Sequence, residues 1–225
     1  MTAVSHLKSS PQERPYQRRA AIDNHPSILA DIYEAEVNIA IWTRQLSQPI
    51  VSDVKAFLEE VGHYQKTFHA RPEEIYQTLT ANNEELHHYE ALCTDITELV
   101  ELFCFLFDRK TVGLRITKLE TAMCPRFHVD RVPCRLVCTY QGVGSQWLPH
   151  NVIDRSKLGV GSNGLLDQQS GLYRSDEDMQ QITVGDVSIL KGELWEGNEN
   201  AGLVHRSPEV ADESARLLLT LDFND

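Results

Sequence analysis

The sequence predicts an α+β protein, with helices in the N-terminal half packed on a β-structure in the C-terminal half. Apolar residues recur every three or four positions through much of 21–110, which is the spacing of helices that bury one face. From residue 111 to residue 225 they occur in short runs punctuated by glycines, as in strands joined by turns. About 110 residues of short strands suit a small closed or sandwiched β-structure, and the helices would share one continuous core with it.

Residues 1–20 precede this fold. They are polar and contain two prolines and three arginines, so we expect a flexible or loosely docked arm. The whole chain has 225 residues, of which 41% are hydrophobic and 24% are charged. This composition is typical of a folded domain that is large enough to bury a substantial core.

Four helices are predicted in the N-terminal half. The first begins near Pro26 and continues to Trp42 along an apolar stripe with a spacing of three to four residues. The second covers residues 52–64. Residues 71–74 mark a third start, because a proline and two acidic residues favour the first turn of a helix. The fourth, over residues 92–107, has the broadest apolar face, and we expect that face to be buried against a sheet.

Six strands are predicted in the C-terminal half. Residues 112–119 alternate between apolar and polar side chains over most of their length, which is the pattern of a strand with one buried face. Residues 149–181 are polar and are expected to form a long loop region. The other predicted strands are residues 126–130, 135–140, 187–190, 202–205 and 216–223.

Two histidines and one aspartate in these strands predict a metal site. His128 and Asp130 are two residues apart, so both side chains lie on the same face of a strand. His205 joins them if the fold places a late strand beside an early one. Two imidazoles and one carboxylate on one side of a metal leave open positions for substrate and oxygen, as in non-heme Fe(II) oxygenases. A simple His–carboxylate pair is the structural alternative.

A cation follows the second histidine on the last predicted strand. Arg216 lies eleven residues after His205. A guanidinium binds a carboxylate through two parallel hydrogen bonds, so Arg216 could hold the carboxylate of a cosubstrate. A structural ion pair is the alternative role for Arg216, and Arg135 and Arg206 are alternative residues for the same function.

In their order along the chain, His128, Asp130, His205 and Arg216 resemble the pattern of Fe(II)/2-oxoglutarate-dependent dioxygenases, which fold as a double-stranded β-helix. The Gly-Asp turn and strand at residues 185–192 resemble the segment before the distal histidine in that superfamily. Other stretches resemble an uncharacterised bacterial family, domain of unknown function DUF1826. These stretches are residues 127–133, 139–140, 147–149 and 205–208.

The resemblance implies a fold, a site and a reaction class. Helices would pack on a double-stranded β-helix of the cupin-like type. His128, Asp130 and His205 would bind Fe(II), and Arg216 would bind the distal carboxylate of 2-oxoglutarate. Tyr140 or Ser207 would add a hydrogen bond to that carboxylate. The implied reaction is oxidative decarboxylation of 2-oxoglutarate coupled to hydroxylation or demethylation of a second substrate.

Three cysteines near His128 allow more than one metal, and therefore more than one function. Cys124, Cys134 and Cys138 lie close to His128 in the sequence, and thiolates with imidazole and carboxylate favour Zn²⁺, which is redox-inert. Buried thiols are the structural alternative for these three residues. The alternative function is therefore a cupin-like protein that binds or senses a metal, zinc or iron, without oxidative turnover. A scaffold that has lost its metal is a third hypothesis.

Charge and hydropathy limit the partners and the location. The formal net charge of −12 disfavours a broad surface for nucleic acid. No apolar run approaches the roughly 18 residues of a membrane-spanning helix. The N-terminus lacks the apolar segment of a secretory signal, so a cytoplasmic location is expected. The residues specify neither the primary substrate, whether small molecule or macromolecule, nor the oligomeric state.

Overall fold

A computed structural model describes residues 17–210 and 215–224. Of the arm predicted over residues 1–20, positions 1–16 lie outside the described residues. Arg19 and Ala20 belong instead to the first strand, and Arg18 is buried, with its Nε donating to Asn198 Oδ1 at 2.9 Å. The end of the predicted arm is therefore part of the fold.

The described residues form a mixed α/β structure with ten strands, four α-helices and several short 3-10 turns. None of these helices is long and apolar enough to cross a membrane. The helices are α1 (Gln48–Glu60), α2 (Pro72–Thr80), α3 (Glu90–Phe107) and α4 (Asp167–Ser170). The strands are β1 (Arg19–Asp23), β2 (Val37–Trp42), β3 (Gln65–Ala70), β4 (Val112–Leu119), β5 (Cys134–Gln141), β6 (Gln146–Leu148), β7 (Gln180–Gln181), β8 (Val187–Lys191), β9 (Val204–Arg206) and β10 (Arg216–Phe223).

Three of the predicted helices are confirmed with small changes at their ends. The helix predicted over 52–64 is α1, and the start predicted at 71–74 is α2, whose first residue is Pro72. The helix predicted over 92–107 is α3. Its apolar face is buried in the cluster that also contains side chains of β4, β5 and β10, so the expected packing against a sheet is confirmed.

The helix predicted from Pro26 to Trp42 is confirmed only over its first part, and the prediction is wrong for the second part. Pro26–Tyr33 forms a 3-10 helix, and β2 follows it. The side chains of Ile39 and Ile41 enter one core while that of Ala40 enters another, so β2 is buried on both faces. A strand buried on both faces has a continuous apolar run, which periodicity alone does not distinguish from a buried helix. The N-terminal half also contributes β1 and β3, which were not predicted.

Two sheets make up the β-structure. The large sheet has the order β1-β2-β8-β5-β10-β4-β3, and the small sheet has the order β7-β6-β9. An isolated antiparallel bridge between His128 and His205 adds residue 128 to the free side of β9. After β4 the chain passes through residue 128, which is bridged to the small sheet, and returns to the large sheet at β5. From there it alternates between the sheets, except that β6 and β7 both belong to the small sheet.

Three apolar clusters occur among the described residues, and two of them lie against the large sheet. The larger core lies between the helices and the outer face of the large sheet. The second lies between the sheets, since it joins Val137 and Leu218 of the large sheet to Trp147 of the small one. The site residues extend from the same inner faces as this second core.

The predicted strands of the C-terminal half are mostly confirmed. Residues 112–119 and 216–223 match β4 and β10 residue for residue, while 135–140, 187–190 and 202–205 match β5, β8 and β9 with small shifts. Residues 126–130 form only the bridge at His128. The short strands β6 and β7 were not predicted.

Candidate metal centre

The bridge between β9 and the segment before β5 sets the positions of the two histidines. The backbone N–H groups of His128 and His205 each donate to the carbonyl of the other residue, at 3.0 Å. Directly opposed residues in an antiparallel pair have their side chains on the same face. The two imidazole rings accordingly lie with their centroids 4.6 Å apart.

Asp130 completes the cluster. Its Oδ1 lies 3.6 Å from His128 Nε2, and its Oδ2 lies 3.4 Å from His205 Nε2. One ligand atom from each of the three residues lies within 4.8 Å of the others. The structure thus brings together the three residues that the sequence proposed as ligands. Among the described residues it is the one group of three or more such side chains with this geometry.

The other ring nitrogens orient the imidazoles. His128 Nδ1 lies 2.9 Å from the carbonyl oxygen of Arg126, and His205 Nδ1 lies 3.2 Å from that of Leu203. A carbonyl accepts a hydrogen bond, so these contacts favour the tautomer with the proton on Nδ1. The Nε2 atoms then present their lone pairs to the space beside Asp130, as metal ligands require.

The charge of Asp130 is fixed by its neighbours. Arg135 Nη1 donates to Asp130 Oδ2 at 2.7 Å, while Arg135 Nε and Nη2 donate to Asp222 at 2.7 and 2.9 Å. Burial opposes ionisation of Asp130, but the adjacent imidazoles of His128 and His205 and the charge of Arg135 hold the pKa of Asp130 well below its usual range. The adjacent carboxylate of Asp130 in turn raises the pKa of His128.

Arg216 lies at the start of β10 and is completely buried. Its guanidinium donates to Ser207 Oγ at 3.0 Å, Thr139 Oγ1 at 3.0 Å and Ser145 Oγ at 2.9 Å. Gly142 allows the backbone to approach this closely, because a Cβ atom there would lie 3.0 Å from Arg216 Cα and Cβ.

No carboxylate among the described residues pairs with Arg216. Its three contacts are neutral hydroxyls, and its buried Nε has no hydrogen-bond partner. Burial lowers the pKa of Arg216 to about 10. A buried cation without a counter-charge is unfavourable, so this position is suited to receive an anion.

The two features share one cavity. His128 and His205 line one part of it, and Arg216 lines another. The remaining wall is made by strand residues of the large sheet, by the segment before His128 and by residues of, or next to, the small-sheet strands β6 and β9. Its lining residues are Arg115, Thr117, Met123, Cys124, Arg135, Val137, Ser145, Arg206, Ser207, Leu218 and Thr220.

The predicted role of Tyr140 needs correction. Its hydroxyl donates to Asp95 Oδ2 of α3 at 2.6 Å, on the outer face of the large sheet. Neighbouring residues of a strand point to opposite faces, so it is Thr139 that faces Arg216. Ser207, which was predicted to bind the carboxylate, accepts a hydrogen bond from Arg216 and so lies at this site, whereas Thr139 and Ser145 were missed. The strand pattern of 135–140 could have identified Thr139, because it shares a face with Arg135.

The alternative cations already have polar partners in the protein. Arg135 is bound to Asp130 and Asp222. Arg206 donates to Gln146 Oε1 at 2.7 Å, and its Nη1 lies 3.7 Å from Asp167 Oδ2. Arg216 is therefore better suited than either residue to bind a cosubstrate anion.

The cysteines do not form a thiolate site with the histidines. Cys134 and Cys138 are buried in the helix-side core, and burial raises the pKa of the Cys138 thiol to about 12. Cys124 is exposed and lines the cavity. The donor set of the cluster is therefore two imidazole nitrogens and a carboxylate, which suits Fe(II) with open positions.

Comparisons with known proteins give distant structural similarities. No curated protein matches the chain. The chain is similar to the dioxygenase for auxin oxidation of rice, with 11% identity, coverage of 84% of this chain and 74% of that chain, and a TM-score of 0.49. It is also similar to the Arabidopsis thaliana dioxygenase for auxin oxidation 1 in complex with 2-oxoglutarate, with 8% identity, coverage of 92% of both chains and a TM-score of 0.48. A prolyl-4-hydroxylase from Pseudomonas putida shows 13% identity, coverage of 89% and 95%, and a TM-score of 0.43.

These similarities are too distant to assign a reaction, so function is inferred from the residues of the site. The sequence itself matches one family, described as "Protein of unknown function (DUF1826)", over residues 23–222. Because this match covers most of the chain, the protein belongs to the DUF1826 family.

Proposed function

We propose that this protein is a non-heme Fe(II)/2-oxoglutarate-dependent oxygenase, a hydroxylase or demethylase. The observation that carries the proposal is the combination of two sites in one cavity. One is a cluster of two histidines and one carboxylate, and the other is a buried arginine with no counter-charge among the described residues. Either feature alone would also be compatible with a purely structural role, whereas together they suit a metal and an acidic cosubstrate.

The proposal includes the fold. We interpret the strand order as a double-stranded β-helix, in which β4, β10, β5 and β8 form one sheet and the segment at residue 128, β9, β6 and β7 form the other. Alternation between two sheets is the connectivity of a jelly roll. It brings His205, on a late strand, beside His128, which precedes β5.

His128, Asp130 and His205 would hold the metal. Their ligand atoms lie within 4.8 Å of one another and both histidines line the cavity, so three protein ligands would leave further coordination positions of a bound metal available. When bound there, Fe(II) would supply the activation of O₂ that is coupled to decarboxylation of 2-oxoglutarate. Arg135 would position Asp130, since it donates to that carboxylate and is itself fixed by two hydrogen bonds to Asp222.

Arg216 would hold the distal carboxylate of 2-oxoglutarate. A guanidinium can donate two parallel hydrogen bonds to a carboxylate, and the unpartnered Nε leaves donor capacity for the ligand. The hydroxyls of Ser207, Thr139 and Ser145 fix the guanidinium in place. Leu218 and Val137 of the large sheet provide an apolar wall beside this site, which excludes water from it.

The test separates binding from turnover. Isothermal titration calorimetry under nitrogen should show one Mn(II) per chain and, after metal loading, one 2-oxoglutarate per chain. With Fe(II) and oxygen, the protein should convert 2-oxoglutarate to succinate, and variants at His128 or His205 should not. Absence of 2-oxoglutarate binding to metal-loaded protein would contradict the proposal.

The alternative is a cupin-like protein that binds or senses a metal without oxidative turnover. It would use the same three ligands and would accept Zn²⁺ as well as Fe(II). It gives no role to a buried, unpaired Arg216, which is why the oxygenase is preferred. Tight metal binding together with no affinity for 2-oxoglutarate would favour this alternative.

A further inference from the structure

Arg115 is a second cation of the cavity that has no hydrogen-bond or ion-pair partner for its guanidinium among the described residues. It lies on β4 and lines the same cavity as His128, His205 and Arg216. Its Nε is buried without a hydrogen-bond partner, and no ion pair of Arg115 occurs among the described residues. The guanidinium can donate five hydrogen bonds, so these donors are free for a ligand.

The surroundings of Arg115 are suited to an anion attached to an apolar group. In the sheet register Arg115 lies opposite Thr220 of β10, and Thr117 follows it on the same face of β4. Both threonine side chains line the cavity, as do the apolar side chains of Met123, Val137 and Leu218. Donors and apolar wall together resemble the lining of a site for a small organic acid.

Arg115 is separate from the position proposed for 2-oxoglutarate. Arg216 pairs with Leu119 on β4, four residues beyond Arg115. At the rise of an extended strand this corresponds to about 13 Å between the two backbone positions. A five-carbon diacid held by Arg216 and the metal would leave Arg115 available to another molecule.

We propose that Arg115 binds an oxyanion, a carboxylate or phosphate, of the primary substrate and so makes organic anions the substrate class of this site. The assignment as a substrate subsite rests on the proposed oxygenase function. The anion-binding property itself does not, because it follows from the unpaired guanidinium. The two can therefore be tested separately.

The first experiment uses full-length protein loaded with Mn(II) and saturated with 2-oxoglutarate. Hexanoate, hexyl phosphate and the neutral hexanamide are titrated by ligand-observed NMR. At least one of the two anions should bind, and hexanamide should bind at least about tenfold more weakly. The tighter anion identifies the substrate group as carboxylate or phosphate. Equal binding of hexanamide, or no binding of either anion, would overturn the proposal.

The second experiment uses variants. Arg115→Met should weaken binding of the anion by about tenfold to a hundredfold, since charge-assisted hydrogen bonds are lost. Arg115→Lys keeps the charge and should retain part of the affinity. If Arg115→Met does not fold, this second variant still tests the role of Arg115. Arg19→Met is the matched control, because Arg19 is half-exposed on β1 at the opposite edge of the large sheet. Unchanged anion binding in Arg115→Met would refute the role of Arg115.

The same variants separate the two proposals. Affinity for 2-oxoglutarate should be unchanged in Arg115→Met, and a loss of tenfold or more would place Arg115 in the cosubstrate site and overturn the substrate assignment. If wild type binds no 2-oxoglutarate, the oxygenase proposal fails. In that case hexanoate or hexyl phosphate should still bind metal-free Arg216→Met protein, and the further change Arg115→Met should abolish that binding.

Discussion

Replacement of Arg216 by methionine should stabilise the protein in the absence of ligands. The side chain is completely buried, its hydrogen bonds among the described residues go only to hydroxyls, and burial lowers its pKa to about 10. A lowering of this size corresponds to roughly 3 kcal/mol of unfavourable free energy for the charged form. For a cation with a lowered pKa this cost is fully present below pH 10 and disappears only as the pH rises towards 12.5. It should therefore be constant across neutral pH.

The expected gain is smaller than that cost. Methionine fills most of the same volume, but Ser207, Thr139 and Ser145 each lose a hydrogen bond to the guanidinium. Cavity water and contacts among the hydroxyls replace part of this loss, which leaves a net gain of about 1–2 kcal/mol. For a domain of this size the melting temperature should rise by roughly 2–8 °C.

Differential scanning calorimetry of metal-free protein at pH 7.5 measures this change, with Arg44→Met as the control. The side chain of Arg44 is also largely buried, with 13% exposed, but it donates to Asp95 through two hydrogen bonds of 2.6 and 2.8 Å. Removing one partner of a buried pair leaves an unpaired charge, so Arg44→Met should lower the stability by about 3–5 kcal/mol. If Arg216→Met is destabilised to the same extent, Arg216 is a structural residue and the reasoning is wrong.

Binding of metal and 2-oxoglutarate should stabilise wild type more than it stabilises Arg216→Met. With Mn(II) bound and 2-oxoglutarate at a hundred times its Kd, wild type should gain about 2.7 kcal/mol, because the ligand binds only the folded state. Arg216→Met should gain much less at the same concentration. Arg216→Met should thus be more stable than wild type without ligand, but its stability should increase less when ligand is added.

Three further outcomes are expected. His128→Ala and His205→Ala should each abolish tight metal binding, measured by mass spectrometry, while thermal melts show a retained fold; full stoichiometric metal in either variant would contradict the ligand assignment. Arg216→Lys should keep the metal but weaken 2-oxoglutarate by about tenfold to a hundredfold in anaerobic calorimetry, because lysine lacks the planar fork. Tyr140→Phe should leave that affinity unchanged and lower stability by about 1–3 kcal/mol in a denaturant titration, since Asp95 loses a buried donor; a selective loss of 2-oxoglutarate binding would return Tyr140 to the site.

Local spacing was sufficient to place His128 and Asp130 on one face. The two-residue period of an extended segment determines this geometry without any knowledge of the rest of the fold. His205 is different, because only the order of the strands in the small sheet brings it beside His128. That placement was proposed from the resemblance to a superfamily and not from the spacing of residues.

The partners of Arg216 show where sequence reasoning fails. Ser145 lies outside any predicted strand, and its contact with Arg216 joins positions 71 residues apart. No local pattern identifies such a pair. Tyr140 was proposed because its hydroxyl suits a carboxylate, but its neighbour Thr139 has the orientation that the site needs. Side chains one residue apart on a strand point to opposite faces of the sheet.

Local patterns also do not show tertiary packing, which explains why a helix was predicted over the residues of β2. An apolar stripe at a spacing of three to four residues and a strand buried on both faces contain the same residue types over six positions. Which structure forms depends on whether both faces are covered. In this fold the helices cover one face of β2 and the inter-sheet core covers the other. Tertiary packing, rather than local preference, decides the conformation.

The charges of the cavity connect the proposed cosubstrate to the proposed substrate. Arg135 pairs with Asp222, and Arg206 shares Asp167 with Arg126, so the cavity cations without an anionic partner among the described residues are Arg216 and Arg115. A divalent metal next to Asp130 leaves one positive charge, and Arg216 and Arg115 add one each. The dianion 2-oxoglutarate offsets two of these three. One positive charge then remains, and it resides on Arg115, so a singly charged organic anion would complete the balance without repelling the cosubstrate.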